Sequence, residues 1–93
     1  MDDQESVAVL RDHLCAYRRR KYAELRALLE EPQVAEVRGP SGATYQLEVV
    51  VHWDDRPGGS LRVLGSVDDG GLRALKPLGE VFILAPDGTF VGE

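Results

Sequence analysis

The chain reads as an α+β domain: an N-terminal long or kinked helix packed on one face of an antiparallel meander of four or five strands. Three observations predict this. All ten Gly and all five Pro stand from Pro32 onward, while the segment before it is rich in Leu, Ala, Arg and Glu. Apolar residues in that first segment recur at helical spacing, and those in the second alternate. The turn-forming clusters after Pro32 separate short β-type runs, as a meander requires.

The helical part covers about residues 4–30. Val7, Leu10, Leu14 and Tyr17 fall on one stripe at about 100° per residue. A step of five then separates Tyr17 from Tyr22, and Tyr22, Leu25 and Leu29 define a second stripe rotated by roughly 60–80°. Lys21 lands in the centre of the first stripe. One distorted helix or two helices meeting at Arg18–Lys21 satisfy this pattern. With no Gly or Pro there to break the chain, a single kinked helix is the expectation. Asp2 or Asp3 suits its N-cap and its dipole, and Pro32 follows its end.

The β part covers about residues 34–92. Val34 to Arg38 is a short strand, and Gly39-Pro40-Ser41-Gly42 a turn. Thr44 to Trp53 is the clearest strand, with Tyr45, Leu47, Val49, Val51 and Trp53 on one face. Pro57-Gly58-Gly59 lies in a loop, and Leu61 to Val67 returns antiparallel. Asp68-Asp69-Gly70-Gly71 ends that strand, and Leu72 to Gly79 is an irregular crossing. Glu80 to Leu84 is a strand, Ala85-Pro86-Asp87-Gly88 a hairpin turn with Gly88 suited to positive φ, and Thr89 to Val91 closes the chain. Pairing Trp53 with Leu61 sets Val51 opposite Val63, Val49 opposite Gly65 and Leu47 opposite Val67. One sheet face is then apolar throughout and is covered by the helix.

The 93 residues form a single domain with one modest core. The net charge of −5, from 11 basic and 16 acidic residues, argues against general nucleic-acid binding. One cysteine allows no internal disulfide, and a reducing, cytoplasmic location is the default. The acidic N-terminus is not a secretory signal, and no apolar run is long enough to cross a membrane.

The opposite sheet face also carries apolar residues. Val50 stands beside Leu64, and Phe82 and Leu84 join them when Val81 and Ile83 point inward. These four residues are the candidate interface, most economically that of a symmetric homodimer or a protein partner. A pocket between helix and sheet near Tyr17, Tyr45 and Leu47 is the alternative, for a small-molecule ligand. Arg18, Arg19, Arg20 and Lys21 form the only basic run and a weak anion patch. On a continuous helix they spread over about 300° and present no flat surface.

No catalytic, metal or cofactor site is expected. Asp54-Asp55 and Asp68-Asp69 sit at opposite ends of one hairpin, roughly 20 Å apart, too far for a joint carboxylate site. His13 and Cys15 project about 160° apart on a helix, and no further zinc ligands stand at short spacing. His52 with Asp54 could form a pair, but no nucleophile is fixed beside it. The glycine pairs read as turns, not phosphate loops.

The segment Tyr22-Ala23-Glu24-Leu25 before the turn into strands resembles the end of the helical portion in small NTF2-like domains. The segment Phe82 to Glu93 resembles the closing hairpin of a small uncharacterised bacterial helix-plus-meander family, cystatin-like or NTF2-like in its order of elements. The resemblance implies the fold and a pocket between helix and sheet, and it carries over no functional residue. The function expected from the residues is a non-enzymatic one, exercised by protein–protein contact and self-association through the second sheet face.

Overall fold

A computed structural model describes residues 3–68 and 78–93. Two helices, α1 (Asp3–Arg18) and α2 (Tyr22–Arg26), precede four strands: β1 (Gln33–Arg38), β2 (Thr44–Trp53), β3 (Leu61–Asp68) and β4 (Leu78–Leu84). The strands form one antiparallel sheet in the order β1-β2-β3-β4. The α+β class and the helix-on-meander layout are as the sequence predicts.

The helical part is two helices, not one kinked helix. Continued past Arg18, α1 would carry Lys21 onto the stripe of Leu14 and Tyr17, both buried. Burying an unpaired ammonium costs far more than ending a helix. The chain instead turns at Arg19 and Arg20, and Lys21 adopts an extended conformation (φ −74°, ψ 157°) as the N-cap of α2. Glu24 supports the restart: its carboxylate accepts from the Lys21 N–H at 3.1 Å, and its own N–H donates to the Lys21 carbonyl at 3.0 Å. The proposed cap at Asp2 or Asp3 lies outside the described side chains.

The predicted β2–β3 register is observed in full, with Trp53 opposite Leu61, Val51 opposite Val63, Val49 opposite Gly65 and Leu47 opposite Val67. Leu10, Leu14, Tyr17 and Leu25 from the helices cover this face and complete the core. Two of the Pro-containing hairpins, β1–β2 and the one after β4, use one design. In Gly39-Pro40-Ser41-Gly42 the Gly42 N–H donates to the Gly39 carbonyl (3.0 Å) and the Gly39 N–H to that of Ala43 (2.8 Å). In Ala85-Pro86-Asp87-Gly88 the corresponding bonds are 2.9 and 2.8 Å. Gly42 and Gly88 each follow the turn at positive φ (92° and 90°), the pattern of a type I turn closed by a glycine bulge.

β4 differs from expectation in phase. Leu84 pairs with Leu61 and Phe82 with Val63, so Phe82 and Leu84 point inward and are 3% exposed. Val81 and Ile83 take the outward positions. The larger side chains thereby remove more apolar surface from water. Glu80, which this phase brings to the helix side, pairs with Arg11 of α1. β4 also begins at Leu78, earlier than predicted, and the rest of the predicted crossing lies outside the described residues. The closing strand reduces to a bridge between Leu84 and Phe90 and a bond from the Val91 N–H to the Ile83 carbonyl at 2.9 Å.

Candidate functional site

With β4 in this phase, the outer sheet face carries a straight apolar row. Val50, Leu64 and Val81 are directly opposite one another across β2, β3 and β4. Leu64 is 38% and Val81 54% exposed, and Val34 on β1 is 69% exposed. Of the four predicted interface residues, Val50 and Leu64 lie here. Phe82 and Leu84 do not, and Val81 with Ile83 stands in their place. The segment Glu80 to Leu84 is apolar at both parities except for Glu80, so only the partner strand decides which set turns inward.

The rows flanking this stripe differ in charge. On one side stand His52, Arg62 and Ile83, and on the other Glu48, Ser66 and Gly79. His52 Nδ1 lies 3.2 Å from Glu30 Oε1. Arg62 grips Asp54 through Nε and a terminal nitrogen, at 3.1 and 2.9 Å to Oδ1. His52 and Asp54 are therefore each engaged elsewhere and do not form a pair.

Tyr17, Tyr45 and Leu47, the residues predicted near a pocket, are core side chains. They are 7%, 1% and 1% exposed and sit within the hydrophobic core. Tyr45 and Leu47 lie on the β2 face turned toward the helices. An open groove of about 740 Å³ lies instead between the first turns of α1 and β1, lined by Ala8, Val9, His13, Val37, Arg38 and Pro40 among others. His13 Nε2 is buried with no hydrogen-bond partner among the described residues. Cys15 is exposed, and no cluster of three or more His, Cys, Asp or Glu able to hold a metal occurs among the described residues. No described helix is long and apolar enough to cross a membrane.

The basic run is reshaped by the helix break. Arg18, Arg19, Arg20 and Lys21 all line one groove of about 570 Å³, whose other wall includes Leu84, Pro86, Asp87 and Phe90. The Arg18 guanidinium lies 4.4 Å from the Phe90 ring centroid and 5.1 Å from that of Phe82, and it pairs with Glu93. Arg20 lies 4.8 Å over the Tyr17 ring. Asp87 accepts from the Thr89 hydroxyl at 2.6 Å and the Thr89 N–H at 3.0 Å, and these bonds hold its carboxyl below the ordinary value of 3.8. The sequence reading missed this groove. The clue to it was Lys21 landing on the buried stripe.

No protein-family model, curated protein or solved structure matches the chain.

Proposed function

We propose that this protein works by non-enzymatic self-association, its outer sheet face meeting the same face of a second copy. The observation that carries this reading is the outward apolar row of half-buried Val50 with exposed Leu64 and Val81, between a row that holds Arg62 and a row that holds Glu48. Consider a two-fold axis lying along that row, parallel to the sheet. It stacks the two apolar rows and sets His52 of one copy over Glu48 of the other. It also sets Arg62 over Ser66, with Asp68 one row beyond. This arrangement brings apolar row against apolar row and the His52 row against the Glu48 row, the kind of self-matching contact an isologous dimer uses. Sheets packed in this way keep their strands within about 30° of each other. An exposed thiol at Cys15 suits a reducing, cytoplasmic compartment.

Size exclusion coupled to light scattering tests this. A mass near twice the 10.2 kDa chain is expected at tens of micromolar. Val50→Glu and Leu64→Glu are expected to return the mass to that of one chain while the far-UV circular dichroism and melting midpoint are retained. A monomer across that concentration range overturns the reading.

A further inference from the structure

We propose that the turn Arg18–Lys21 and the hairpin facing it form a binding groove for a phosphate group carried on a small, partly apolar ligand. On a continuous helix these four cations would spread around the axis. The break after Arg18 gathers them onto one wall of a single groove. Arg18 is committed to Glu93 and to the rings of Phe82 and Phe90. Arg19, Arg20 and Lys21 have no carboxylate partner among the described residues, although the chain holds 16 acidic residues against 11 basic ones. Three adjacent cations repel one another, and a bound oxyanion relieves that repulsion. Guanidinium forks match the oxygens of a phosphate in pairs, and Lys21 adds a mobile point charge.

The opposite wall selects further. Pro86, exposed on the hairpin, offers an apolar surface for the body of the ligand. Arg18 and Arg20 already cover faces of Phe90 and Tyr17, which disfavours stacked bases and so a nucleic-acid strand. The cations occupy one turn instead of a track, which suits one anionic headgroup. Asp87 is the carboxylate on this rim, held ionised by Thr89, and it opposes any anion beside it.

The full chain, labelled with ¹⁵N, is titrated with inorganic phosphate, phenyl phosphate and benzoate at constant ionic strength. Saturable shifts are expected at the amides of Arg19, Arg20, Lys21, Gly88 and Phe90 with both phosphates. Tighter binding of phenyl phosphate than of inorganic phosphate supports the proposal; equal binding shows that the apolar wall takes no part and overturns it. The combined variant R19Q/R20Q/K21Q is expected to weaken binding at least tenfold. Should it fail to fold, Asp87→Asn keeps the acceptor for Thr89 and is expected to tighten binding several-fold. Benzoate binding as tightly as phenyl phosphate, shifts reproduced by sodium chloride, or an affinity unmoved by both Arg19→Gln and Asp87→Asn overturns it.

Discussion

Gly65 lies directly against Leu14: a Cβ built on Gly65 would stand 3.0 Å from both Leu14 methyl carbons and 3.0 Å from Leu10 Cδ1. Leu10 and Leu14 are both buried, so neither can swing clear. The close approach of α1 to β3 therefore depends on a missing side chain. Gly65→Ala is expected to cost about 1–3 kcal/mol through overpacking. Urea denaturation measures it, and an unchanged midpoint would show that α1 sits further from the sheet.

The phase of β4 makes neighbouring residues behave in opposite ways. Phe82→Ala opens a core cavity and is expected to cost about 3–5 kcal/mol. Val81→Ala, one residue earlier and on the outer face, is expected to change stability by no more than about 0.5 kcal/mol when both variants are measured in the monomeric Leu64→Glu background. Thermal melts of the two variants check the assignment directly. Equal losses, or a larger loss at Val81, would place the strand in the other phase.

Glu30 is the non-glycine residue with positive φ among the described residues, at 64°. Its N–H donates to the Val51 carbonyl at 3.0 Å, beside a bridge between Leu29 and Val51, so the edge of β2 holds it there. The left-handed region costs an L-residue about 1–2 kcal/mol, and glycine recovers this minus its own entropy of about 0.5–1 kcal/mol. Glu30→Gly is expected to stabilise by about 0.5 kcal/mol, and Glu30→Val to destabilise by about 1–2 kcal/mol. Chemical denaturation of the pair gives the sign, which should reverse between them.

The Asp87 carboxyl titrates below 3.8 because the Thr89 hydroxyl and then the Thr89 N–H bond its charged form. A carboxyl depressed in the folded state contributes stability above its unfolded value, and that contribution is lost as pH falls through the folded value. Acid unfolding should therefore include a step below about pH 3.8. Thr89→Val removes the hydroxyl bond and should move Asp87 upward toward 3.8 and shrink that step. Carbon-detected titration of the Asp87 side chain reads both. An Asp87 that titrates at or above 3.8 in the unsubstituted protein contradicts the assigned bonds.

Legibility in the sequence followed how many elements a residue's placement involved. Alternation from Tyr45 to Trp53, interrupted by Val50, favours one burial parity, and the similar pattern from Leu61 to Val67, interrupted by Leu64, then favours one register. The turns were equally local, because Pro40 and Pro86 with Gly42 and Gly88 specify the backbone angles themselves. For the candidate site, Val50 and Leu64 were legible for the same reason, being the outward residues of strands whose inward set the alternation favours.

The remainder depended on contacts between distant segments. Val81, Phe82, Ile83 and Leu84 are apolar at both parities, so the space beside Val63 and Leu61 chose Phe82 and Leu84 for the core and left Val81 and Ile83 outside. The stripe of α1 allowed one helix or two, and the penalty for driving Lys21 into the packed face decided for two. That choice gathered Arg18 to Lys21 into one groove, which no spacing rule on a regular helix would produce. The length and composition of this chain determined a small α+β domain with one covered sheet face. Tertiary packing alone decided which apolar residues remained on the outer sheet face and which cations came to face the same space. The physical reason is that burial is a property of pairs of surfaces, and a sequence pattern describes only one of the two.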